Sequence, residues 1–104
     1  MLGLFRMFAQ GPGPALTKED LQKAFLVDVR TPAEFAAGSA PGAVNIPLDQ
    51  VLSRIGEFRN KEKIVVFCRS GSRSARAKEI LESHGITNVI NGGSWQNVAE
   101  ALKK

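Results

Sequence analysis

A chain of 104 residues, 43% hydrophobic and 23% charged, is sized for one globular core and leaves no room for chemistry divided between two domains. No apolar run reaches the length of a bilayer span, so stable membrane insertion is not expected. The net charge of +4 comes without a Lys/Arg tract interleaved with aromatics, which argues against nucleic acid as a partner and leaves steering of anionic substrates open. The single cysteine, Cys68, excludes an internal disulfide and cannot build a thiolate metal site even with His84 added, so neither a metal nor a cofactor is expected.

Residues 1–14 read as an N-terminal extension and hinge, followed by one domain over 15–104. Met1–Phe8 is apolar apart from Arg6, but it lacks a basic n-region, a long h-region and a cleavage site, so no secretion signal is expected. The segment reads as a strand or flap packed on the domain, with a weak membrane-surface or partner contact as the alternative. Gln10-Gly11-Pro12-Gly13-Pro14 reads as a flexible hinge. A cytoplasmic location is the default expectation and suits a free, reactive thiol.

Thr17 is placed to cap a short helix through Leu21 and Ala24, and a strand follows from Phe25 to Arg30. Thr31-Pro32-Ala33-Glu34 then combines an N-cap, a proline at the first helical position and a carboxylate at the third, with Gly38 set to end that turn. Pro41–Pro47 reads as a turn and a brief extended segment. Leu48, Val51, Leu52 and Ile55 recur at helical spacing and predict a crossover helix. An apolar strand at 63–68 leads into a helix from about Ser72, with Ala77, Ile80 and Leu81 on one face and Gly85 as its stop. Asn88–Asn91 is the last strand, Gly92-Gly93 a turn, and Ser94–Leu102 a closing helix. Strands that alternate with helices and are apolar on both faces predict an α/β domain whose parallel sheet is covered on both sides.

Ligands in such folds sit at the carboxyl ends of the strands. Cys68 lies at that end of its strand, and Asp28 and Arg30 lie near the same end of theirs. A strand, a short Gly/Ser loop and a helix start aim unpaired N–H groups and a helix dipole at one point, where an anion or a thiolate is favoured. Arg69 and Arg73 reinforce that field, so Cys68 is expected to be a nucleophile. The competing reading, an inert core cysteine, fits poorly with two arginines, a glycine and three serines over residues 69–74.

Together these motifs resemble the single-domain rhodanese family of sulfurtransferases, which carry sulfur as a cysteine persulfide. The resemblance spans about residues 15–95. It rests on Asp28-Val29-Arg30 with Glu34-Phe35, Gly38 with Pro41–Pro47, the loop from Cys68 to Arg73, and Gly92-Gly93 before Trp95. It implies a small rhodanese-like α/β domain: a five-stranded parallel sheet with helices on both faces. By the same resemblance Cys68 carries the sulfur and the N–H groups of residues 69–73 form its cradle. The chain departs from the family in having Ser39-Ala40 in place of the usual His-Ile, which is expected to loosen the packing there, and the aromatic near the glycine pair is shifted, so Trp95 is given no substrate role. Related-looking phosphatases and arsenate reductases place one residue more between cysteine and arginine than the four that separate Cys68 from Arg73, and the smaller cradle favours sulfur.

The implied reaction is thiosulfate sulfurtransfer. Cys68 takes sulfur from a small anionic donor such as thiosulfate and hands the persulfide to cyanide, an external thiol or a sulfur-carrier protein. With no second cysteine the acceptor must come from outside, so a shallow, open site is expected on a monomer. The candidate substrate-binding residues are Arg69, Ser70, Gly71, Ser72 and Arg73. Arg69 is the residue suited to a sulfonate, Arg73 either holds the loop, against Asp28, or touches substrate, and Ser72 and Ser74 read as helix caps. Asp28, Arg30 and Glu34 read as a structural ion-pair group beneath the rim. His84 lies about 18 Å along the helix from the loop at 1.5 Å per residue, too far to serve Cys68. The alternatives are a non-catalytic sulfur-relay or docking module and, further off, a phosphatase or arsenate reductase.

Overall fold

Ile64-Val65-Val66-Phe67-Cys68 is buried along its whole length, as a strand covered on both faces must be. The computed structural model describes residues 16–104, so the strand or flap and the hinge expected over residues 1–14 lie outside the described residues. In chain order the elements are α1 (Lys18–Lys23), β1 (Phe25–Asp28), α2 (Pro32–Ala36), β2 (Val44–Asn45), two short 3-10 turns (Leu48–Gln50 and Ile55–Phe58), β3 (Ile64–Cys68), α3 (Ser72–Ser83), β4 (Val89–Ser94) and α4 (Trp95–Lys103).

The strands form one parallel sheet in the order β2-β1-β3-β4. Alternation along β3 divides the core. Ile64, Val66 and Cys68 pack with Val27, Ala77 and Leu81 on the α3 side, while Val65 and Phe67 pack with Leu21 of α1 and Val98 of α4 on the other. Helices therefore cover both faces, as expected. The sheet has four strands among the described residues, not five, because every remaining run there is spent on helices and turns, and edge strand β2 is cut to two residues just before Pro47, which has no N–H to donate.

Three other expectations change. The first strand stops at Asp28, not Arg30, because the Asp28 carboxylate accepts the Arg30 backbone N–H at 3.0 Å and turns the chain. Residues 48–58 form 3-10 turns in place of a crossover α-helix. Val51 is fully buried, but Leu52 is 53% exposed, so the apolar spacing marks a tightly wound connection with Gly56 inside it and not one helical face. Finally, Gly92-Gly93 does not turn the chain. β4 continues through both glycines, with Asn91 opposite Val66, Gly93 opposite Phe67 and an irregularity between them. The extra residue is Gly92, where a Cβ would stand 2.9 Å from both Val65 Cγ1 and Val98 Cγ2, so the bulge needs glycine for close packing.

Two local signals hold in full. Thr17 caps α1 by accepting from the Asp20 N–H. Thr31 and Glu34 form a reciprocal capping box around Pro32 at the start of α2, so two orphan N–H groups are satisfied at once.

Candidate active site around Cys68

The strand order reverses direction between β1 and β3, and Asp28 pairs in register with Phe67. Cys68 is therefore at the carboxyl edge of the sheet beside the switch point where open α/β sheets bind ligands. Beyond it the loop Arg69-Ser70-Gly71 leads directly into α3, whose first four N–H groups have no helical partner. Gly71 occupies the cap position with φ +104°, a left-handed conformation open to glycine. That turn brings the Gly71 N–H to 3.0 Å from Cys68 Sγ.

The sulfur also lies 3.5 Å from Ser74 Oγ. Burial pushes the Cys68 thiol up, but the Ser74 hydroxyl and the backbone N–H groups of Ser74, Gly71 and Ser70 outweigh it and hold the thiol below its ordinary value. Donors that favour the charged form have this effect on a thiolate. The expectation of an open site is corrected at the atom itself, since Cys68 has 0% exposure. It is sunk beneath its own loop because β3 is covered on both faces up to its last residue. A polar groove of about 500 Å³ lies over the loop, lined by Ser70, Gly71, residues 91–94 and Asn97.

The loop residues of the sequence reading separate into two groups. Arg69, Ser70 and Ser72 are exposed, and among the described residues Arg69 has no carboxylate partner. Arg73 turns away from the groove and donates to Glu34 at 2.8 and 3.1 Å, so its partner is Glu34 and not Asp28. Neither Ser72 nor Ser74 caps α3. Gly71 holds the cap position without a side-chain bond, and Ser74 is fully buried against the sulfur.

Beneath the rim, Asp28 and Arg30 form a buried bidentate pair with contacts of 2.6 to 3.1 Å. Arg30 also donates to the Gly38 carbonyl at 2.6 Å, and its guanidinium lies 5.3 Å from the Trp95 ring centroid, a cation–π distance. Trp95 is thus a structural partner of this pair. Glu34 stands apart from it. Ser39 does not loosen the region, since its hydroxyl donates to Asp28 Oδ2 at 2.7 Å and Ala40 is buried. His84 sits at the far end of α3, with Nδ1 3.0 Å from the Ile80 carbonyl.

Sequence reasoning missed Asn91. Its Nδ2 donates to the Gly71 carbonyl at 3.0 Å, and its Oδ1 accepts from Ser74 Oγ at 2.7 Å and from the Gly93 N–H at 3.0 Å. One side chain on β4 therefore ties together the loop, the serine on the sulfur and the bulge. The available signal was a polar residue ending an apolar strand directly before two glycines. Among the described residues no cluster of His, Cys, Asp and Glu is arranged to hold a metal, and no helix is long and apolar enough to cross a membrane.

Comparison with known proteins agrees with this geometry. The family model described as Rhodanese-like domain matches residues 14–101. Thiosulfate sulfurtransferase PspE of Escherichia coli is 37% identical over 75 residues, covering 70% of this chain and 72% of that protein. The uncharacterized protein YqhL of Bacillus subtilis is 40% identical over 96 residues, covering 85% of this chain and 76% of its own length. A solved structure titled rhodanese with anions from E. coli superposes with a TM-score of 0.67 at 36% identity, covering 73% of this chain and 92% of that one.

Proposed function

The chain belongs to the rhodanese-like domain family, and from that premise we propose that it moves sulfane sulfur from thiosulfate to an external nucleophile through a persulfide on Cys68. The observation that carries this reading is the Cys68 sulfur held under N–H donors at the start of α3, with exposed Arg69 as the next residue. In the first step the Cys68 thiolate attacks the outer sulfur of thiosulfate. A new S–S bond forms, the bond to the sulfonate sulfur breaks, and sulfite leaves with the electron pair. In the second step a thiolate, cyanide or a sulfur-carrier protein attacks the outer sulfur of the persulfide, and Cys68 departs as the thiolate.

Each group has a separate task. The N–H cradle stabilises the negative charge that the sulfur bears before attack and after release. Arg69 pairs with the sulfonate oxygens, whose spacing suits a guanidinium fork. Ser70 and Gly71 present backbone to the groove where the donor enters. Arg73 and Glu34 hold the loop, and Asp28 with Arg30 fixes the rim below it.

The test is an intact mass spectrum after incubation with thiosulfate and again after cyanide, beside a Cys68→Ser control. Gain of one sulfur atom, lost to cyanide as thiocyanate and absent in the folded Cys68→Ser variant, is the expected result. No gain in reduced, folded protein would sink the reading. The complete burial of Cys68 favours one second reading, a relay module that hands its sulfur on only to a partner protein docked over the loop. It predicts that the persulfide forms while small acceptors turn it over negligibly.

A further inference from the structure

The Asn91 amide has only one orientation that satisfies its neighbours. The Gly93 N–H can only donate and the Gly71 carbonyl can only accept, so Oδ1 must face Gly93 and Nδ2 must face Gly71. Ser74 Oγ lies 2.7 Å from that same Oδ1. An amide oxygen has no proton to give, so the Ser74 hydroxyl hydrogen is on this bond. Its lone pairs are then left for Cys68 Sγ at 3.5 Å, and the sulfur must be the donor. The arrangement described by these contacts is that of a thiol.

A thiolate has no hydrogen to offer and needs donors. The Ser74 hydroxyl has a single hydrogen, so it can serve the thiolate only by leaving Asn91, whose Oδ1 keeps the Gly93 N–H. We propose that Asn91 is a positioning residue for Cys68: it holds the Ser74 hydroxyl as a two-position rotor, aimed at the amide while the sulfur is protonated and at the sulfur once it ionises. In the cycle, which rests on the sulfur-transfer reading above, the hydroxyl returns to Asn91 when the persulfide forms, because the charge has moved to the outer sulfur. Through Nδ2 the same side chain keeps Gly71 in the turn that presents its N–H to Sγ.

The charged groups around the sulfur are Arg69 in the loop, Arg73 at the start of α3 and, facing Arg73, Glu34 on α2 and Asp28 at the end of β1. β4 and the first turn of α4 contribute no titratable side chain. These groups are unchanged in every variant below.

The test is a double-mutant cycle on Asn91 and Ser74, read as the pH midpoint of Cys68 alkylation by iodoacetamide in the full chain, with folding checked by circular dichroism. Asn91→Ala removes both the competitor for the hydroxyl and the anchor of Gly71. In a Ser74→Ala background only the anchor effect remains. The midpoint change caused by Asn91→Ala is expected to lie about half a pH unit lower with Ser74 present than without it, a threefold gain in thiolate. Asn91→Asp, nearly the same shape, grips the hydroxyl harder and is expected to give a coupling of opposite sign, its added charge cancelling between backgrounds. If Asn91→Ala fails to fold, the Asp cycle decides alone. Additive effects, or couplings of the same sign, overturn the rotor. Alkylation involves no sulfur donor, so this result is independent of whether thiosulfate loads Cys68.

Discussion

Arg73 and Glu34, 39 residues apart, form a two-point ion pair that ties the first turn of α3 to α2, with Nη1 donating to Oε1 at 2.8 Å and Nη2 to Oε2 at 3.1 Å. Each side chain is about one-third exposed, so the pair is a clasp on the rim of the site and not part of the core. It stops Arg73 from reaching into the groove and leaves Arg69 as the arginine beside Cys68 that is free to meet an anion.

The clasp predicts an acid-sensitive loop. The Arg73 guanidinium, joined by the Thr31 backbone N–H, lowers the Glu34 carboxyl from 4.5 to about 2. A carboxyl whose folded value lies below its unfolded value adds stability that is complete above about pH 4.5 and is lost as the pH falls towards 2. Glu34→Gln should therefore flatten the acid limb of the stability curve over that window while costing little at pH 7, where a pair about one-third exposed contributes modestly. Asp20 and Glu57 are also lowered, so the limb should be shallower, not absent. Urea unfolding at a series of pH values measures this.

Arg69 should act on binding, not on folding. Arg69→Ala is expected to raise the KM for thiosulfate roughly tenfold, the scale of one charge-assisted hydrogen bond, with the melting temperature unchanged. Steady-state kinetics beside a thermal melt separate the two effects. An unchanged KM would make Arg69 a solvated loop charge.

Asp28 should act on folding. Its carboxylate holds Arg30, itself only 5% exposed, and accepts from the Ser39 hydroxyl. Asp28→Ala leaves a buried guanidinium with the Gly38 carbonyl and the Trp95 face as its remaining partners, and should cost about 3–5 kcal/mol in denaturant unfolding. A loss below about 1 kcal/mol would show that the pair is hydrated or replaceable.

Gly92 tests the bulge. Adding one methyl places carbon 2.9 Å from Val65 and from Val98, two fully buried β-branched side chains that are stiff about χ1. Gly92→Ala should destabilise by about 1–3 kcal/mol and, because the bulge sits between Asn91 and the start of α4, should also slow Cys68 alkylation at neutral pH. Unfolding and alkylation on the same variant check both.

Much of the molecule was legible wherever the signal is local. The capping box at Thr31 and Glu34, the apolar run ending at Cys68, and Gly71 before the helix each depend on neighbours within a few residues, and backbone sterics and hydrogen-bond chemistry already limit what such stretches can do. The same logic placed Cys68 at the carboxyl edge of a parallel sheet. Residues 48–58 were misread because apolar spacing is shared by an α-helix and by a chain of 3-10 turns wrapped on the core. The partners of Arg73, Ser74 and Asn91 were out of reach for a different reason. Glu34 lies 39 residues from Arg73, and Asn91 lies 17 from Ser74 and 20 from Gly71, and a shift of one residue in β4 would turn Asn91 to the opposite face. Sequence alone therefore located the candidate nucleophile and its loop, while the folded sheet selected the side chains that surround the sulfur, since their choice depends on strand register.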